Sequence, residues 1–292
     1  MKQKSEAGQA LVLVLLSLSV VLTLILFILS RSITDVAVSS RQDEAVRAFS
    51  AAEAGVERAL VTGSNYSAES LGNASYTTSV TEFALDSNDL VYPSAVSSGE
   101  TVTVWFTSHK TDGSMSCDSP LPCYAGPQMK VCWGNPGTVA NSAVTPAVEV
   151  TVYYEVTPGD LSTLRIGRTT ADPNAGRTGT NSFSGVDGVT CQVGSQTYAF
   201  QKTITFADLG IPASSYGSDN GLQLAQIRML YNDISHNVGI NVTGDTLPSQ
   251  GKAIDSSGTV TGGSNRRIIV HQGWPEFPFV SNSMISPVGI TK

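Results

Sequence analysis

Twenty consecutive residues without a charged side chain, Ala10 to Leu29, constrain this chain more than any other feature. At about 1.5 Å per residue, a helix over this run covers roughly 30 Å, the thickness of a hydrocarbon core. Ser17, Ser19 and Thr23 interrupt the run, but a helix lets their hydroxyls bond back to the preceding turn. Lys2 and Lys4 precede the span, which favours a cytoplasmic N-terminus and export of everything after Leu29; Arg31 and Arg41 follow it and keep that bias modest. A cleaved secretory signal has a shorter apolar region with a small-x-small site directly after it. Here the nearest such site, Ala37-Val38-Ser39, lies well past the apolar stretch, and no cysteine stands directly after the run to carry a lipid.

The helical pattern does not stop at the end of the span. There is no proline between Met1 and Leu60, and glycine occurs there only at Gly8 and Gly55. Phe49, Ala52, Val56 and Ala59 recur at spacings of three and four, which puts them on one face. Glu44 and Arg47 stand one turn apart, a spacing that allows an ion pair on the wet face. Gly55 costs about 1 kcal/mol relative to alanine inside a helix; either it is tolerated, or a backbone or an aromatic ring packs closely against it. The reading is one helix of about 50 residues, roughly 75 Å long. It is apolar all round in its first half and amphipathic in its second.

From about Val61 the chain is rich in Ser, Thr, Gly and Val and runs in short alternating segments. Strands are expected at Tyr76–Phe83, Thr101–Phe106, Met129–Trp133, Ala147–Val156, Thr163–Arg168, Tyr198–Phe206, Leu222–Tyr231, Val238–Val242 and Arg266–Gln272. Gly, Pro, Asn and Asp separate them. This predicts an α+β fold, with the long N-terminal helix packed on a mainly antiparallel, sandwich-like β domain over 61–292. The polar stretch after Leu60, the segment Thr107 to Pro127 and the segment Thr170 to Gly188 read as loops, and the tail from Gly273 as irregular. All four cysteines, Cys117, Cys123, Cys132 and Cys191, lie in the part beyond the helix. An even count behind an export segment points to disulfides, with three pairings open.

Little in the sequence points to catalysis. There is no G-x-S-x-G elbow, phosphate-binding loop or H-E-x-x-H helix. His109, His236 and His271 are scattered, and Glu53 and Glu57 are two carboxylates on a helix face. Asp86, Asn88 and Asp89 form a small acidic turn of the kind that sometimes holds Ca²⁺. Trp274 and Tyr124 are aromatics that could meet a ligand, against a default of burial. The net charge of −7, with no basic block after the first few residues, argues against nucleic acid as a partner. No enzyme activity, cofactor or metal is expected, and no surface ligand is named.

The segment "AFSAAEAGVERAL" (Ala48 to Leu60), behind a short leader ending in Gly8 and an apolar span, resembles type IV pilin-like precursors. It is most similar to the "AF-x-AAEA" run of PilX-type minor pilins and of the K-type minor pseudopilin of type II secretion. The stretch Gly251 to Gln272 also looks like the terminal hairpin of such proteins. The resemblance implies a leader over 1–8, cut by a prepilin peptidase between Gly8 and Gln9, and a helix over 9–60 whose Phe49, Ala52, Val56 and Leu60 pack on the sheet. It implies partners too: other pilin-like subunits through that helix, and a membrane assembly platform. The protein would first be a single-pass membrane protein with an exported C-terminal domain and then part of an extracellular filament. Most pilins carry a glutamate at the fifth mature position; here that position is Leu13. The K-type subunit shares this absence, which favours a priming or capping role. The alternative is a binding module or adhesin held in the membrane by an uncut helix.

Overall fold

The computed structural model describes residues 7–275, with side chains from residue 11. Lys2, Lys4 and the tail beyond 275 lie outside the described residues. The helix α1 runs unbroken over Ala7–Thr62, 56 residues, or about 84 Å. Ser17, Ser19 and Thr23 donate their hydroxyls to the carbonyls of Val14, Leu16 and Val20 at 2.9, 2.8 and 2.8 Å, so the polar groups of the apolar run are satisfied within it. Gly63 follows with φ of 65° and bonds its N–H to the Ala59 carbonyl at 2.7 Å. Glycine takes this left-handed conformation without a Cβ penalty, and the helix ends there.

Sixteen strands follow among the described residues. They are β1 (Tyr66–Leu71), β2 (Ala74–Glu82), β3 (Asp89–Val91), β4 (Thr101–Trp105), β5 (Ser108–His109), β6 (Met115–Ser116), β7 (Gln128–Trp133) and β8 (Ala147–Glu155), then β9 (Leu164–Ala171), β10 (Cys191–Val193), β11 (Gln196–Tyr198), β12 (Phe200–Thr205), β13 (Leu222–Leu230), β14 (Val238–Thr243), β15 (Gly251–Val260) and β16 (Asn265–Gly273). Two short helices, α2 (Ala175–Asn181) and α3 (Ala213–Tyr216), interrupt them. The strand register is antiparallel between the paired strands. The fold class is therefore α+β, as the alternation of the sequence predicts.

The described residues divide into two compact units, one of residues 7–80 with 254–270, the other of 81–253 with 271–275. The expected division at residue 61 is not where they part: the chain leaves the first unit after most of β2, builds the second, and returns along β15.

In the first unit the second half of α1 lies on a sheet of order β1-β2-β15-β16. The buried helix residues are Ala48, Ala51, Ala52, Gly55, Val56 and Ala59. Of the four expected packing residues, Ala52 and Val56 are buried, whereas Phe49 and Leu60 are 45% and 39% exposed. Each follows a buried alanine by one position, which rotates it about 100° away from the sheet. The seam is made of small residues, so backbones meet across it. A Cβ added at Gly258 of β15 would run into the Ala48 carbonyl oxygen and come within 2.6 Å of the Ala52 nitrogen. A Cβ at Gly55 would lie 2.8 Å from the ring of Tyr76 and 2.5 Å from the Thr78 hydroxyl. Gly55 thus marks the close approach of an aromatic. Below it the buried Thr78 hydroxyl donates to Ser256 at 3.1 Å. The wet-face ion pair is Arg47 with Asp43 at 2.6 Å, not Glu44. Glu44 instead turns toward the β15–β16 turn and accepts from the Ser264 hydroxyl at 3.3 Å.

The second unit is a sandwich. Sheets of order β12-β7-β14-β3 and β4-β13-β8-β9 share one apolar core, with Trp133, Phe106, Phe206, Met129, Ile227 and Ile240 fully buried. The cysteines pair as Cys117–Cys123 and Cys132–Cys191, with Cα separations of 5.4 and 5.8 Å. The first closes the segment 107–127; the second ties β7 to β10. The expected loop Thr170–Gly188 contains α2 and has a polar interior instead of an apolar one. Asp172, 1% exposed, receives Arg177 through both oxygens, at 3.0 and 2.8 Å, and Asn181 at 2.9 Å. The Arg177 guanidinium also bonds the Ala143 and Thr145 carbonyls and lies 4.2 Å from the Tyr231 ring centroid. A buried charge survives when every oxygen is paired in this way, and the segment needs no large apolar side chain to hold its shape.

The seam sets a test. Gly258→Val places a branched side chain where helix backbone already stands, and overpacking of this kind costs about 1–3 kcal/mol or more. Thermal unfolding followed by circular dichroism should show a clear drop in midpoint. Gly185→Ala, where an added Cβ meets nothing within 4 Å, should leave the midpoint unchanged.

Candidate functional site

Two places in the chain present surfaces that the fold itself does not use. The first is the apolar half of α1. From Leu11 to Leu29 its large side chains are about half exposed or more, Leu11 at 64%, Phe27 at 65% and Leu29 at 52%. This is the one helix, among the described residues, long and apolar enough to cross a membrane. Such a helix, apolar on every side, is stable only against lipid or other apolar helices. Gly8 and Gln9, the expected cleavage pair, lie in the first turn of α1. Leu13 is 66% exposed within the apolar run. Glu53 and Glu57 sit exposed on the amphipathic half, away from the seam. Arg58, on the same half, donates to the Tyr76 hydroxyl at 3.0 Å and to Glu69 at 3.1 Å. These bonds, Tyr76 first, hold its guanidinium above its ordinary value.

The second place is a cavity of about 290 Å³ in the sandwich unit, bordered by Phe83, Tyr92, Thr103, Trp105, His271 and Trp274 among others. Three elements shape it. Gln250 is buried and bridges the backbone of Trp105, accepting from its N–H and donating to its carbonyl, both at 2.8 Å. It completes the edge of β4 as a neighbouring strand would. Trp274 donates its indole N–H to the Ser249 carbonyl at 2.8 Å and stacks on His109 with centroids 4.7 Å apart and planes 11° from parallel. Trp105 meets the same imidazole edge-on at 4.4 Å. Phe83 and His271 form the opposite pair, edge to face at 5.8 Å.

The aromatics singled out from sequence therefore separate. Trp274 borders the cavity, while Tyr124 is a core residue, 1% exposed, its hydroxyl donating to the Gln128 carbonyl at 2.7 Å. The cavity residues missed by sequence reasoning, Phe83, Thr103 and Gln250, are scattered over the chain and carry no motif. The four cysteines serve as two disulfides.

The histidines divide likewise. His236 is buried and accepts the Asn135 N–H on Nδ1 at 3.0 Å; burial lowers its pKa, against the pull of Asp233. His271 is exposed at the cavity rim. His109 is buried between two indoles, its Nδ1 makes no hydrogen bond, and burial pushes its pKa down to about 4. In the acidic turn, Asp89 accepts from Gly194 N–H at 3.0 Å and from Asn241 at 2.7 Å, and the Asn88 amide donates to the Asp245 carbonyl at 2.8 Å. The Asp89 oxygens are engaged by protein donors, and among the described residues no group of three His, Cys, Asp or Glu is placed to hold a metal ion.

His109 makes the sandwich sensitive to acid in a defined window. Its folded pKa lies below the ordinary 6.5, so between about pH 6.5 and 4 the unfolded chain binds a proton that the folded chain refuses. Stability is complete above that window and is lost as pH falls through it, by an amount on the order of 2 kcal/mol. Denaturant unfolding at pH 7 and pH 4.5 should show a larger loss for the native protein than for His109→Phe. Equal losses would mean that the imidazole is free to charge in place.

Compared with family models, curated proteins and solved structures, the chain matches none.

Proposed function

We propose that this protein is a minor, non-catalytic subunit of a type IV pilus-like filament, one that primes or caps the assembly after removal of its leader at Gly8. The observation that carries the reading is the continuity of α1 across two kinds of surface. Residues 10–29 are apolar on all sides, and the same unbroken helix then seats a face of small residues on an antiparallel sheet. A simple anchor has no need of that continuity. A subunit that rests in the membrane and later bundles its apolar half with other helices does need it, because the sheet seated on the helix must move with the span.

The partners on this reading are other pilin-like subunits along the apolar half of α1, the prepilin peptidase and the membrane assembly platform. The minor role rests on Leu13. A carboxylate in a membrane segment is expensive unless a partner neutralises it, and a subunit with no neighbour ahead has no partner to offer. Its absence here suits a first-placed subunit and lowers the cost of holding the protein in lipid.

Quantitative mass spectrometry of sheared filaments, with filament counts in a deletion strain, tests the proposal. Trace abundance together with loss of filaments on deletion is expected. Abundance near that of the bulk subunit would overturn the minor role. Leu13→Glu introduces an insertion cost of the order of 2.5–3.5 kcal/mol, by analogy with other charged residues, and should leave assembly equal or poorer.

A further inference from the structure

The cavity in the sandwich unit is not needed for a filament core, and its chemistry is selective. Among the described residues, none that borders it is Lys, Arg, Asp or Glu. A charged ligand would find no counter-charge and would lose its hydration. The walls are largely aromatic: Phe83, Tyr92, Trp105 and Trp274. Trp274 is half-buried and fixed from behind by its bond to Ser249 and its stack on His109, so little side-chain freedom is lost when a ligand lies against it. Aromatic surfaces of this kind offer large contact area with a polar edge.

The polar groups decide what else the occupant must carry. The Thr103 hydroxyl is buried in the cavity wall and makes no hydrogen bond to the protein. Folded proteins rarely leave a buried hydroxyl unpaired, because doing so is costly. A purely apolar occupant would seal that cost in. Ser94 and His271 add exposed polar groups at the rim. The occupant is therefore uncharged, has an apolar face for the aromatics and bears hydroxyls for Thr103 and the rim. At about 290 Å³ the cavity lies at the small end of ligand sites, room for one ring rather than a chain.

We propose that this cavity binds one neutral pyranose unit, its C–H face against Trp274 and a hydroxyl directed to Thr103. The site is independent of the filament reading: it would serve the sandwich equally in a filament tip or a membrane-held protein.

The test uses the full chain in a zwitterionic detergent without a sugar headgroup. Tryptophan fluorescence and saturation-transfer NMR are followed with neutral hexoses (glucose, galactose, mannose) and N-acetylglucosamine, against glucuronate and glucosamine as charged forms of the same ring. At least one neutral sugar should bind saturably with a dissociation constant on the order of millimolar, and the charged forms at least about tenfold more weakly. Thr103→Val is nearly isosteric and removes an unpaired hydroxyl, so its melting temperature should be unchanged or higher. Its affinity should fall about tenfold. Trp274→Ala should abolish binding. The proposal is overturned if no neutral sugar binds up to about 50 mM, if charged and neutral forms bind alike, or if folded Thr103→Val binds as the native protein does.

Discussion

The close approach of helix backbone to the β15 backbone at Gly258, and to the Tyr76, Thr78 and Ser256 side chains at Gly55, is the constraint on which the first unit depends. With alanines at Ala48, Ala51, Ala52 and Ala59 beside these glycines, the helix sinks onto β2 and β15 farther than leucine-sized residues would permit. Small residues bury little apolar area each, so close packing replaces bulk. Larger side chains enter from the sheet, with Tyr76 beside Ala51 and, toward the end of the helix, Ile254 against Val56 and Ala59, flanked by Val80, Ile268 and Val270. The seam also explains a polar feature. At such short range the Thr78 and Ser256 hydroxyls under Gly55 bond to each other, and neither is left to water.

The chain order gives this unit a second property. Its sheet is assembled from β1 and β2 at one end of the sequence and β15 and β16 at the other, so the sandwich enters as a long excursion between two neighbouring strands. The helix cannot complete its sheet until the excursion has returned, since β15 carries Gly258, Ser256 and Ile254. Pairings of such high sequence separation are slow to form. The sandwich has its own core and two disulfides, which is what a body folded between two strands of another requires.

Much of the architecture was legible in the sequence because it rests on periodicity. The long helix, and strands such as Thr101–Trp105 and Val238–Thr243, follow from unbroken patterns of three to four or of two. What failed did so for physical reasons. β1, Tyr66–Leu71, is polar and mostly exposed, and its register slips between Tyr66 and Glu69, with Ala68 at φ of 52°; nothing in it alternates. The segment after Ala171 lacks apolar residues because Asp172 and Arg177 build its interior. Spacings of three and four line Phe49 and Leu60 up with Ala52 and Val56, whereas the buried face runs through the alanines and the glycine beside them. Of the two candidate sites, the apolar helix could be read at once. The cavity could not, since Phe83, Thr103, Gln250 and Trp274 are joined only by the fold.

In the proposed role, α1 begins as a membrane span with a leader and ends as the core helix of a filament. The most direct test of that role is the N-terminal residue of the protein recovered from assembled filaments, read by intact mass and terminal sequencing. The account predicts a chain beginning at Gln9, with Gly8→Leu blocking that change and leaving the protein in the membrane. A functional form that still begins at Met1 would contradict it, and would make the helix an anchor for an extracellular binding module.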